Sequence, residues 1–493
     1  MTPAPGHMRI ARSFAILSGS SAAMIVGGVI AVKARALLLG TSGMGLMGVL
    51  QSVAALATMI TGLGVATAVI QSGASALARD DAARVAALRR SAGWILAVTG
   101  GVAFVAVVAC RTVISTALFG TADQSWNVVL VGVALLLNLA AALEASILNA
   151  HHRVKAMAKL GVCQGVLGPM LGVALIWIWR ERAIGFAIAI ASATNWLAAR
   201  YFVAKEVGRI VTPVTRRDIR DSARSLLRFG LPFTVSALAG VGIQELLPLL
   251  VSQRLGIASA GLYAAAATIA VGYIGFFLNI LAQDYYHRVS AARDQPIALV
   301  GLINEQHRVL MMIGLPLVLG LLTLAPQVVL VLSSSHFLPA ADVLEWQLCG
   351  DLLRFSGWSM SFVVLARNGS GMYLVTEFVG GGTALIGSWL GITWFGLPGV
   401  GLAFLFAALV HNLVAAWIVR RDIHLVWTPE NRNMILLSVG AALSIKLLAV
   451  AGFSTLRIVV GLACVALAAA NSLRIARTEL GWAGGWGRQP PPA

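Results

Sequence analysis

Long apolar runs, separated by short polar stretches, fill almost the whole chain. Runs of about 18 or more apolar residues are long enough to cross a hydrocarbon core as a helix. Fourteen such runs occur, with approximate limits 13–36, 43–70, 92–118, 127–149, 160–179, 183–203, 229–252, 258–283, 309–332, 341–366, 371–393, 398–419, 434–452 and 455–472. The last two are the shortest. The pattern predicts an all-α polytopic membrane protein of about 14 transmembrane helices. Connecting loops such as Phe119–Trp126 and Ser333–Ala340 are short, and neither side carries a soluble domain of useful size. The longest polar linker, 204–228, separates the first six spans from the rest and reads as a solvated basic segment touching anionic lipid.

Within these runs the charged positions stand out. Asp351 and Arg354 interrupt the tenth span, in Leu344–Arg367. A charge at bilayer mid-depth costs ~2.5–3.5 kcal/mol on insertion scales, so such residues face a protein interior or a watery cavity. A spacing of three puts both on one helical face, close enough to pair.

Composition agrees with the spans. The 493 residues are 59% apolar and 11% charged, with a mean hydropathy of +0.87, whereas a soluble domain is nearer a quarter charged. The net charge of +17 does not mark a nucleic-acid binder, because the basic residues cluster in alternate loops. One set of loops, from Arg9 and Arg12 to Arg474, Arg477 and Arg488, holds 27 of the 36 Lys and Arg residues. The opposite set holds Lys33, Arg35, Arg111, Arg180, Arg182, Arg254 and Arg457. This asymmetry places both termini in the cytoplasm and supports an even number of spans. Cys110, Cys163, Cys349 and Cys464 are scattered, with neither metal spacing nor a disulfide framework. No cleaved signal peptide is apparent, since the run after Arg12 is too long. No nucleotide-binding motif occurs, and the glycines at 371 and 380–382 read as close helix packing. No cofactor or metal is expected.

A weak internal repeat is present. Leu39-Gly40 matches Leu255-Gly256, Gly45-Leu46 matches Gly261-Leu262, and Arg12 matches Arg228, all at one offset of 216 residues. Both halves would begin on the cytoplasmic side, which makes the repeat parallel and puts a substrate site between two lobes. The expected organisation is an N-lobe at 1–203 (spans 1–6), the basic linker at 204–228, a C-lobe at 229–420 (spans 7–12), and spans 13 and 14 with a cytoplasmic tail at 421–493. The last two spans form an appendage, a candidate wall for a lipid-facing groove.

Several stretches carry a family resemblance, covering about residues 10–420. They are Lys33-Ala34-Arg35 followed by Leu39 to Leu46; Ile147-Leu148-Asn149-Ala150; Asp284 to Ser290; Asn304-Glu305-Gln306; and His336-Phe337 through Trp346 to Arg354, then Trp358, Arg367 and Glu377. In order and spacing they resemble the O-antigen and lipid-linked oligosaccharide translocases (Wzx-type flippases, including the branch serving enterobacterial common antigen as lipid III flippase). These belong to the multidrug/oligosaccharidyl-lipid/polysaccharide exporter superfamily. His287 and Ala150 depart from the family pattern, which tends to carry proline and glycine there. The resemblance implies a two-lobed transporter, not an enzyme. It would carry an undecaprenyl-diphosphate-linked oligosaccharide from the cytoplasmic to the periplasmic leaflet of the bacterial inner membrane. Other expected partners are membrane lipids and the polymerase and chain-length proteins of the same pathway, with the chain itself a monomer.

Such cargo sorts the charged residues. A diphosphate needs cations, and sugar hydroxyls need amides and carboxylates. Lys33, Arg354, Asp351, Arg35, Arg254 and Gln244 are the substrate-binding candidates. For Lys33, Arg35 and Arg254 the competing reading is snorkelling to the interface. For Asp351 and Arg354 it is a static buried pair. Glu144, Glu245 and Glu377 are coupling or cavity carboxylates, and Glu377 is also a candidate clamp on Arg367. His411 reads as a packed polar residue or a proton relay. Asp284, Tyr285, Tyr286 and Arg288 form a candidate gate or entry site, or else an aromatic and cationic belt. A lipid II flippase and a cation-coupled drug antiporter remain alternatives. A membrane glycosyltransferase or polymerase fits the short outer loops poorly.

The charge asymmetry makes a prediction about orientation. A single cysteine at Asp123 should react with an impermeant maleimide added outside intact cells. One at Asp221 should react only after the membrane is opened, and the reverse pattern would overturn the assigned orientation.

Overall fold

The computed structural model describes residues 6–208 and 212–479. The side chains of Arg9 and Arg12, and the tail from residue 480 with Arg488, lie outside the described residues. The fold is all-α, as hydrocarbon requires of a chain that must satisfy its own backbone. Among the described residues, eleven helices are long and apolar enough to cross a membrane. The difference from the expected fourteen lies in three places. The windows Val26–Gly62 and Val154–Glu206 each run through a backbone break, at Gly40 and at Arg180. The stretch before Gly369 does not qualify, and it carries Asp342, Glu345, Asp351, Arg354 and Arg367.

Two compact units emerge, Met1–Ala264 with Val331–His336 and Ala265–Leu330 with Phe337–Ala493. Unit 1 is built from α1 (Gly6–Gly62), α2 (Val65–Leu77), α3 (Ala82–Ala109), α4 (Arg111–Phe119), α5 (Ser125–Ala150), α6 (Val154–Val162), α7 (Gly168–Trp179), α8 (Ile184–Glu206), α9 (Arg216–Ala237), α10 (Ile243–Leu255) and most of α11 (Ile257–Ala267). A capping box between Thr215 and Asp218 starts α9. A π-helical turn at Leu238–Gly242 carries that helix into α10.

The repeat has a geometric counterpart in unit 1. Gly40 breaks α1 at φ 65°, ψ −167°. Gly256, 216 residues later, separates α10 from α11 at φ 86°, ψ 166°. Positive φ with extended ψ is a conformation essentially reserved for glycine. Beyond the two breaks the partners cross. A Cβ on Gly45 would strike the carbonyl oxygen of Ile257, and one on Gly261 would strike that of Thr41. Each hypothetical Cβ also lies 2.9 Å from the other glycine's nitrogen. Thr41 and Ile257 are again 216 apart, so the contact is reciprocal about a local pseudo-twofold axis.

Unit 2 holds α12 (Ile274–Ala291), α13 (Pro296–Thr323), most of α14 (Ala325–Leu332), α15 (Ala340–Phe395), α16 (Pro398–Ile423), α17 (Pro429–Val450) and α18 (Ser454–Glu479). Gly369, at φ 76°, ψ 179°, divides α15 into two arms. A buried ionic cluster ties α17 and α18 to the first arm. Lys446 is 1% exposed. Its ammonium bonds Asp342 and lies 2.8 Å from Glu345. Arg457 reaches the other Glu345 oxygen at 2.6 Å and donates to the carbonyl of Leu322 at 2.7 Å. Two cations meet two carboxylates, so no net charge is left in the interior.

Two stability tests follow from this packing. Gly45→Ala should lower the melting temperature in detergent, through an overpacking cost of ~1–3 kcal/mol. Gly101→Ala, in a helix with nothing within 4 Å of the new Cβ, should be neutral or stabilising. Equal effects would show that the crossing at Gly45 is not close-packed. Lys446→Met leaves the cluster with two carboxylates and only Arg457 to answer them, and should cost up to ~3–5 kcal/mol. Lys446→Met combined with Asp342→Asn, which leaves Glu345 paired with Arg457, should recover part of that loss in the same melt.

Candidate functional site

The pair expected on the tenth span forms. Arg354 lies 3.1 Å from Asp351, whose side chain is fully buried. The guanidinium stands 5.9 Å from the centre of the Phe404 ring on α16. On its other side it approaches Gly275 of α12. Arg354 keeps 21% of its side chain exposed, so the pair is anchored at the carboxylate and open at the cation.

Farther along α15, Glu377 sits 3.8 Å from His411 of α16. Ser361 Oγ is 3.5 Å from the same imidazole nitrogen, and the Tyr373 hydroxyl is hydrogen-bonded to Glu377. The expected clamp between Glu377 and Arg367 is absent, because Arg367 pairs with Asp422 at 2.6 Å and donates to the carbonyl of Arg293. Glu377 lies beyond the break at Gly369, where helical spacing from Arg367 no longer holds.

The four gate candidates separate. Tyr285 is buried, donates to the Ser359 carbonyl at 2.8 Å and stacks on Trp358. Tyr286 is exposed. Arg288 bonds Glu305 at 2.6 Å and lies 3.8 Å from Asp284. Tyr285 therefore packs inside the unit, while the three other side chains form its charged and aromatic rim.

In unit 1, exposed Lys33 donates to the last-turn carbonyl of Val331 at 2.6 Å. Arg35 bonds the Ala31 carbonyl and lines a cavity of about 210 Å³ with Gln51, Asn138 and Ser192. Arg254 is exposed in the last turn of α10, and Gln244 is exposed in its first turn. Glu245, half-buried, takes a hydrogen bond from Ser52 of α1. Glu144 is held by Arg200 at 2.9 Å and Arg89 at 3.5 Å, near the basic loops. The candidates thus fall into local groups rather than one cluster within either unit.

Two features escaped the sequence reading. One is the Lys446 cluster, although Lys446 and Glu345 sit inside apolar runs and the cost argument applied to Asp351 would have marked them. The other is Arg180, which donates to the Leu38 carbonyl freed by the break at Gly40. A groove of about 800 Å³ runs along α13, α17 and α18. Its wall is apolar, with Leu315, Leu319, Leu437 and Leu467, and its basic-loop end carries Arg308, Glu430 and Arg474.

Comparison with solved structures identifies the fold. A lipid II flippase, MurJ, in an inward closed conformation superimposes with a TM-score of 0.69 at 11% identity, covering 93% of this chain and 98% of its own. An inward-facing multidrug resistance MATE family transporter of the MOP superfamily gives 0.59 at 18% identity, with 83% and 94% covered. A MOP superfamily transporter from Pyrococcus furiosus gives 0.58 at 14% identity, with 84% and 95% covered. No curated protein sequence matches the chain. These neighbours are transporters, and the architecture is the MOP transporter fold of a multi-pass membrane protein. A profile described as polysaccharide biosynthesis protein matches residues 34–342, more than half of the chain, which therefore belongs to the polysaccharide biosynthesis protein family.

Proposed function

We propose that this protein is a flippase for undecaprenyl-diphosphate-linked oligosaccharide, such as an O-antigen, common-antigen or exopolysaccharide repeat unit. It moves the cargo from the cytoplasmic to the periplasmic leaflet of the bacterial inner membrane by ion-coupled alternating access, with both termini cytoplasmic. The observation that carries this reading is the family match on a transporter fold. The groove along α13, α17 and α18 supports it, since apolar walls with a charged end suit a prenyl chain bearing an anionic head. The multidrug resistance transporter neighbour covers about a tenth less of the chain than the lipid II flippase does. A tenth of the chain is roughly the length of two membrane helices. That difference favours a lipid cargo over a soluble drug and keeps lipid II as the second reading. Each unit brings its own candidate contacts to the cargo: Arg354, oriented by Asp351, in the second, and Lys33, Arg35, Arg254 and Gln244 in the first. The polymerase and chain-length proteins of the pathway would receive the product.

Fluorescent lipid-linked oligosaccharide in reconstituted vesicles tests this. Lys33→Ala and Arg354→Ala should each slow translocation roughly tenfold or more, the loss of a charge-assisted contact worth ~1.5–3 kcal/mol. Arg354→Lys should retain part of the rate. Full activity of both alanine variants would overturn the site. Translocation of lipid II alone would replace the cargo.

A further inference from the structure

His411 occupies an unusual position among the charged groups of unit 2. Ser361 and Glu377 lie eight residues before and eight after Gly369, and both reach its Nε2. Farther from the break, Gly357 and Gly380 flank the same ring, where a Cβ would come within 3.0 and 3.1 Å of it. Contacts at matched distances on either side of the break mean that α15 folds back on itself at Gly369 as a helical hairpin. The imidazole of α16 lies against both arms. Eight residues of helix place Glu377 about 12 Å from the turn, well inside its span.

The neighbouring charges are committed elsewhere. On elements packed against α15, Arg288 faces Asp284 and Glu305, Arg308 faces Glu430, and Lys446 and Arg457 face Asp342 and Glu345. Within α15 and α16, Arg354 faces Asp351 and Arg367 faces Asp422. His307 of α13 contacts Ser356, and Tyr285 of α12 bonds Ser359. Around the pair itself stand Ser361 and Tyr373. Among the described ion pairs of unit 2, every other carboxylate faces Lys or Arg, whose charge is permanent at working pH. Glu377 alone faces an imidazole, a side chain that can stand either neutral or charged.

We propose that His411 and Glu377 form a proton-binding site that ties α16 to the second arm of the α15 hairpin. One proton taken up on the imidazole makes an imidazolium–carboxylate pair across that contact. Its release leaves a neutral ring held by Ser361 and by packing between the two glycines. The ligand is a proton, and the site deepens the proposed ion coupling by naming where the ion would act.

Hydrogen exchange in lipid nanodiscs tests the tie without any cargo. Protection factors for the segment after Gly369 should fall roughly fivefold from acidic to alkaline buffer, as the imidazole gives up its proton, the scale of one moderately exposed ion pair. Glu377→Gln and His411→Gln should abolish that pH response, whereas Ser361→Ala, which removes the neutral contact, should keep it. A wild-type response absent, or unchanged in both charge variants, overturns the proposal. If the charge variants are too unstable to purify, the wild-type response and that of Ser361→Ala still decide it. A companion vesicle assay should show a flattened pH profile for translocation in Glu377→Gln. Failure of the wild type to move lipid-linked oligosaccharide would count against the proposed cargo, while the exchange result would still stand or fall separately.

Discussion

In hydrocarbon, a charge that finds no partner inside the protein finds none at all. The type of partner therefore sorts the charged residues of this chain by what they can do. Lys446 and Arg457 are neutralised by Asp342 and Glu345, and Arg200 by Glu144. Stripping such a group of its opposite charges leaves a buried charge uncompensated, so these residues fix helices in place. Lys33 and Arg180 rest on backbone carbonyls, a weaker hold. His411 rests on Glu377, a hold that depends on a proton.

The same constraint explains where the chain can bend. A break in a membrane helix exposes carbonyls that must find donors. At Gly40 the donor for Leu38 is Arg180. The glycines at the breaks take backbone angles that other residues adopt only with strain. Gly45 and Gly261 allow the helices that follow the two breaks to touch backbone to backbone. Each glycine is thus set by a neighbour that the repeat supplies, which is why equal spacing in the sequence proved informative.

Legibility in the sequence followed locality. Asp351 and Arg354 could be paired from spacing alone, because one turn of helix brings them together. The partners of Glu144 could not, since Arg89 and Arg200 arrive on other helices. Arg367 was matched with Glu377 by proximity along the chain, and Gly369 redirected both side chains to α16. The spans were legible because hydrocarbon imposes a length, and the gaps drawn at 37–42, 180–182 and 367–370 hold the backbone breaks at Gly40, Arg180 and Gly369, although the helix continues on both sides of each. The Lys446 cluster joins residues about a hundred positions apart, and no local pattern encodes that pairing.

The cations on carbonyls connect fold to cargo. The hydrogen bond from Lys33 to Val331 has one charged partner, whereas one to a diphosphate oxygen has two of opposite sign. Moving Lys33 from the Val331 carbonyl to a diphosphate oxygen would therefore be favourable, provided that the vacated carbonyl is satisfied. A free diphosphate is mostly acceptor at neutral pH and has little to donate to that carbonyl. A diphosphate carrying sugars offers both, with phosphoryl oxygens for the ammonium and hydroxyl donors for the carbonyl. A cation enclosed by carboxylates, such as Lys446, gains nothing from this exchange, whereas Arg354, still 21% exposed, can meet a phosphoryl oxygen without leaving Asp351. The proposed cargo thus matches cations that the fold leaves free to exchange or share a partner.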